Sequence, residues 1–181
     1  MSLSNEHRRY LLVNQMAVPA IFNVVLNGLL AWLILRHNAF LTLWGEGAVG
    51  PDLLLTAFLL SFLSCLIVTK LINREITHGK VSRLASDQIS DSGWHTRSAL
   101  ARASLLGLAG VLLAAAPAVA ALSWAGAEPM TVPWFVGFKA VWCGLLAAAI
   151  SPLIAWWALS AAASPVPSES IAPSPLPRRP M

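Results

Sequence analysis

The sequence predicts an all-α integral membrane protein: four transmembrane helices in a bundle, followed by a disordered Pro-rich C-terminal tail. Three observations predict it. Hydrophobic residues make up 57% of the 181-residue chain and charged residues only 11%, whereas a soluble domain carries roughly 25% charged residues. The apolar residues gather into four long stretches. Lys and Arg lie almost wholly on one side of those stretches.

A helix crosses the hydrocarbon core, roughly 30 Å thick, with about 20 apolar residues. The predicted spans are about 11–35, 53–69, 103–125 and 140–161, and within those bounds none holds Asp, Glu, Lys, Arg or His. In the second, Leu, Phe, Ile and Val fill 11 of 17 positions, each favouring insertion by about 0.3 to 0.6 kcal/mol near the helix centre. The third and fourth are richer in Ala but long. The first follows Arg8 and Arg9, as a signal peptide would. A signal core is only about 7–15 residues long, and this run is longer, carries Asn14, Gln15, Asn23 and Asn27, and lacks an A-x-A site. It reads as a retained span.

Residues 1–163 therefore form the transmembrane domain, with a long loop over about 70–102, and 164–181 form the tail. Six of the 12 prolines fall between Pro165 and Pro180, and such a segment cannot bury a core. In the loop, Gly79 is placed to end the second helix, and Asp91 or Ser92 to cap the third.

Orientation follows from the cations. Arg8 and Arg9, the loop's Lys70, Arg74, Lys80, Arg83, Arg97 and Arg102, and the tail's Arg178 and Arg179 share one side, and the other two connections hold only Arg36 and Lys139. Excess Lys and Arg marks the cytoplasmic face, so both termini and the long loop are expected there, in a multi-pass protein of a bacterial inner membrane. Trp32, Trp44, Trp124 and Trp134 then fall at the opposite interface, where indoles anchor.

Inside the spans the informative residues are polar or small. Asn23 and Asn27 lie one turn apart on one face, and amides in hydrocarbon need partners. They read first as contacts between helices and second as the lining of a path for a neutral or weakly polar solute. Ser61, Ser64, Cys65 and Thr69 form a polar stripe on the second span, and Ser151 offers a further contact on the fourth. Gly110, Ala114 and Ala118, and likewise Cys143, Ala147, Ser151 and Ala155, recur every fourth residue, the small-residue pattern that lets helices approach closely. Pro19, Pro117 and Pro152 are expected to kink packed helices.

The chain holds no nucleotide loop, no HExxH and no GxSxG. His78 and His95 lack a third ligand, and Cys65 and Cys143 sit singly in apolar runs. No basic patch points to nucleic acid, and no cofactor or metal is implied. The carboxylates Asp52 and Glu128 share the outer face and can meet only if the two outer connections touch. The composition favours a non-catalytic membrane subunit or scaffold, packed against lipid and against another copy or another membrane protein. A small permease is the alternative, and a membrane enzyme ranks last. An alkaline phosphatase reporter fused near Trp44 or Pro129 should be active and one near Arg83 silent; activity at Arg83 would overturn the orientation.

Overall fold

The computed structural model describes residues 16–45, 48–78 and 98–161. The basic N-terminus, the Pro-rich tail and the loop positions Gly79, Asp91, Ser92 and His95 lie outside the described residues. The described chain folds into four helices: α1 (Val18–Leu35), α2 (Val49–Thr77), α3 (Ala99–Trp124) and α4 (Val132–Ala161). All four are long and apolar enough to cross a membrane. Ile21, Phe22, Val25, Ile67, Leu112 and Leu113 point outward. A contiguous apolar surface of this kind suits lipid as the solvent and would be a fault in water. The chain is a membrane protein.

The helices run past the charge-free stretches. α2 has 29 residues and α4 has 30; at 1.5 Å per residue each is roughly 44 Å long, well beyond the hydrocarbon core. Their ends consequently carry charge: Asp52, Lys70, Arg74 and Glu75 on α2, and Lys139 two turns inside α4. α3 likewise begins before its apolar run and takes in Arg102. Its cap is Ser98, whose Oγ accepts the Ala101 N–H at 3.2 Å. Asp91 and Ser92 lie too far upstream for that place.

α3 is not uniform. Val111–Ala115 forms a π-helical turn, closed by the Ala116 N–H on the Val111 carbonyl. Pro117 comes directly after. Proline has no N–H to give the carbonyl four residues back, and its ring crowds that carbonyl, so the backbone widens by one residue just before it. The extra residue rotates the C-terminal half of the helix relative to the first half. Gly107 and Gly110 are buried, and the buried positions then continue as Ala115, Val119 and Leu122. Ala114 and Ala118, which share the four-residue spacing of Gly110, are only half-buried.

The helices pack in the spatial order α1, α4, α2, α3, with α4 between α1 and α2. The bundle is thus an open row, in which α1 rests principally on α4 and α3 on α2. The main core gathers Ala57, Leu60, Cys65, Ala103, Leu106, Cys143, Leu146, Ala147 and Ile150. A second cluster under the short loops contains Leu41, Leu43, Val49, Leu53, Met130 and Phe135.

Glycine sets the closest crossings. A Cβ on Gly144 would collide with Val24 and come within 3.2 Å of the Ala20 carbonyl, and one on Gly28 would sit 3.1 Å from the Ala140 Cβ. On the other side of the row, a Cβ on Gly110 would collide with the Ser61 hydroxyl, and one on Gly107 would sit 2.9 Å from the Phe58 ring. Between apolar helices in lipid there is no hydrophobic driving force, and van der Waals contact at such crossings holds them together. Gly144→Val and Gly110→Val should each destabilise the detergent-solubilised protein by about 1–3 kcal/mol, the usual cost of overpacking. Gly137→Ala should be nearly neutral in the same thermal unfolding assay, because nothing lies within 4 Å of its added Cβ.

Candidate functional site

The site is a cleft between α1 and α2, closed at one end by the short loops. Those loops are zipped together. Leu41 and Met130 exchange two backbone hydrogen bonds of 2.9 and 3.0 Å. The free N–H groups that open any helix are also accounted for in α2. Val49 donates to the Thr42 carbonyl and Gly50 to the Leu43 carbonyl, each at 3.0 Å, and Pro51 has no N–H to satisfy. Gly50 must be glycine here, since a Cβ would lie 2.7 Å from the Leu43 oxygen. Gly45 makes the preceding turn with φ of +111°.

The two outer-face carboxylates are therefore brought to one end, yet they take different partners. Glu128 accepts the Leu43 N–H through Oε1. Asp52, in the first turn of α2, receives Lys139 Nζ on both oxygens at 2.7 and 2.6 Å. The Lys139 side chain is 8% exposed and that of Asp52 41%. Asp52 also meets the positive end of the α2 dipole, so its negative charge is stabilised twice. Lys139 is the residue of this cleft that sequence reasoning misses, because it reads there as a connecting cation. The signal was present: Lys139 is the single charge in the apolar run from Val132 to Ala161, and a lone intramembrane charge calls for a partner on a neighbouring helix.

The remaining candidates divide between the cleft and the core. Asn23 Nδ2 donates to the Pro19 carbonyl at 2.9 Å, and Asn27 Nδ2 to the Asn23 carbonyl and Oδ1 at 3.1 and 3.2 Å. Both amides are thus bonded along α1 and not across to another helix. Among the described residues, nothing donates to Asn27 Oδ1. Ser64 lines the cleft, and Ser151, buried on α4, forms part of its floor. Ser61 is buried against Gly110 with its hydroxyl unpartnered, and Thr69 lies beside the Cys65 thiol. Ala147 and Ala155 are fully buried on α4.

The cleft has two parts that succeed one another along the same pair of helices. A small one, about 180 Å³, is lined by Ala31, Ile34, Leu35, Ala48, Val49, Asp52 and Lys139. A larger one, about 590 Å³, runs from Leu30 to Val18 on α1 and from Thr56 to Leu71 on α2. The walls are mostly apolar, interrupted by Asn23, Asn27, Thr56, Ser64 and Ser151. Among the described residues no three His, Cys, Asp or Glu side chains gather as a metal site. The arrangement can bind and orient an elongated, mostly apolar group.

No family model, no curated protein and no solved structure matches this chain.

Cutting the ion pair on one side leaves a buried charge. Asp52→Ala should lower stability by about 2–4 kcal/mol, reduced from the cost of a wholly buried pair because Asp52 is partly open. Lys139→Met should cost less, since the carboxylate left behind can be solvated. The double variant Asp52→Leu with Lys139→Met should recover at least half of the Asp52→Ala loss. Thermal unfolding of the four proteins checks this, and a double variant worse than Asp52→Ala would rule out the pairing.

Proposed function

We propose that the chain is a non-catalytic subunit or scaffold of a bacterial cytoplasmic membrane, with both termini on the cytoplasmic side. One observation carries the reading. The ionisable groups at the short-loop end, and an amide far along α1 from it, are engaged in holding this chain's own helices and loops: Asp52 with Lys139, Glu128 with the Leu43 N–H, and Asn23 with the Pro19 carbonyl. General acid–base work needs a group positioned for substrate and able to change charge, and none of these is left for that task.

The exposed faces of α1 support a partner. Its side chains are apolar apart from Asn23 and Asn27, only Ala31 among them is buried, and among the described residues α4 alone gives it substantial support. A helix held on one side has room for another copy or another membrane protein on the opposite side. The permease reading has its own observation, the run of Asn23, Asn27, Ser64 and Ser151 along one cleft. Against it, the middle of the row is filled: Cys143, Ala147, Ser151 and Ala155 on α4 are at most 1% exposed, and the cleft lies beside them.

Replacing Asn23 and Asn27 together with Leu separates the readings. Because both amides bond within α1, the change should leave thermal stability within about 1 kcal/mol. In the subunit reading, the native mass of the purified assembly stays unchanged and no solute flux is lost, because the amides face the cleft and not the partner. A stable protein of unchanged assembly state that has lost a solute flux would favour the permease.

A further inference from the structure

We propose that the α1–α2 cleft binds a single lipid whose headgroup carries a primary ammonium, with one acyl chain lying along the apolar part. The length and lining of the cleft suit this occupant. Its larger part runs along α1 from Val18 to Leu30, a length of about 18 Å at 1.5 Å per residue. Over that length the cleft offers about 590 Å³, room for a hydrocarbon chain lying lengthwise. The walls Phe22, Leu26, Leu30, Leu59, Leu63 and Ile67 give such a chain an apolar bed.

Charge selects the headgroup. Beyond Leu30, toward the short loops, the next cavity along α1 and α2 is the small one bounded by Asp52 and Lys139. The exposed member of that pair is Asp52, while the Lys139 side chain is 8% exposed. A headgroup entering there meets acceptor oxygens first. A primary ammonium donates to them through charge-assisted hydrogen bonds, and a phosphate beside it can take the Lys139 hydrogen that Asp52 leaves unused. A trimethylated headgroup has no N–H to donate, and an anionic headgroup without a cation faces the carboxylate unfavourably. Asn27 stands one turn below Ala31, about 6 Å deeper, where its amide can meet the polar backbone of the lipid above the chain.

The test uses the full-length protein, delipidated in detergent and then equilibrated with an equal mixture of phosphatidylethanolamine, phosphatidylcholine and phosphatidylglycerol of identical chains. Native mass spectrometry should show one lipid retained, with phosphatidylethanolamine favoured about tenfold, as a charge-assisted hydrogen bond allows. Asp52→Asn should erase the preference and keep a chain in the cleft. Ser64→Trp, which fills the cleft, should lower retention of every lipid. Equal retention of the three lipids by the unaltered protein would overturn the headgroup assignment, and so would an undiminished preference in Asp52→Asn. Should that variant fail to fold, the unaltered protein still decides the matter with phosphatidylethanolamine bearing a photoreactive acyl chain. Crosslinks should fall on residues 22–30 and 59–67; crosslinks spread over α3, or a retained polypeptide in place of lipid, would overturn the site.

Discussion

Close approach along α4 is the constraint on which the other features depend. Water drives apolar helices together, but lipid does not, since a hydrocarbon tail is as good a neighbour for Leu as another Leu. What remains is dispersion at short range, which falls away with small gaps. α4 meets that demand on two sides at once. Gly144 admits Val24 and the Ala20 carbonyl of α1, and Ala140 meets Gly28 of the same helix. Cys143, Ala147 and Ile150 pack into the core shared with α2 and α3. A helix small on two sides becomes the middle of a row, so the fourth of the described helices lies between the first and the second.

That order was not legible in the sequence, although the helices were. Hydropathy gives four spans because about 20 apolar residues are needed whatever the helices pack against. Bounds that exclude charge stop at Leu53 and Ala140, one residue short of Asp52 and Lys139. Both residues lie on helices and they face each other. A rule that reads charge as the end of a span hides the case in which two charges neutralise one another. The small-residue stripe of α3 was hidden differently. Spacing alone joins Gly110 to Ala114 and Ala118, but Pro117 imposes a wide turn, and the buried line passes to Ala115 and Val119. On α4, Cys143, Ala147, Ser151 and Ala155 keep one buried face from end to end, even with Pro152 inside the helix. The difference is local: one proline is absorbed by widening the turn before it, and the other leaves the register intact.

The ion pair has a second role besides joining α2 to α4. Lys139 lies two turns inside a helix, and an unpaired ammonium at that depth is costly. Asp52 is held to meet it by a loop whose backbone groups are themselves satisfied: Thr42 and Leu43 accept from the first turn of α2, Glu128 accepts from Leu43, and Met130 pairs with Leu41. Removing any one of these would free the start of α2 to move and with it the carboxylate. The short-loop end thus works as one rigid unit, built from both connections, although the two are far apart in sequence.

Rigidity at that end and separation below it together explain why a cleft exists. α1 is drawn onto α4 by the two glycine crossings, and α2 is fixed to α4 by the ion pair and the core. Both helices lean on the same central helix from either side, so a gap between them persists along its length. Packing more tightly would require α1 to leave Gly144, losing contacts that nothing else in the row replaces. An empty gap of this volume is unfavourable in any solvent, because its lining loses contact partners on one side. Within a bilayer the filler at hand is a lipid chain, and whatever enters at the short-loop end must also accommodate a carboxylate. The same central helix that makes the fold stable therefore also makes the cleft and sets the charge at its mouth.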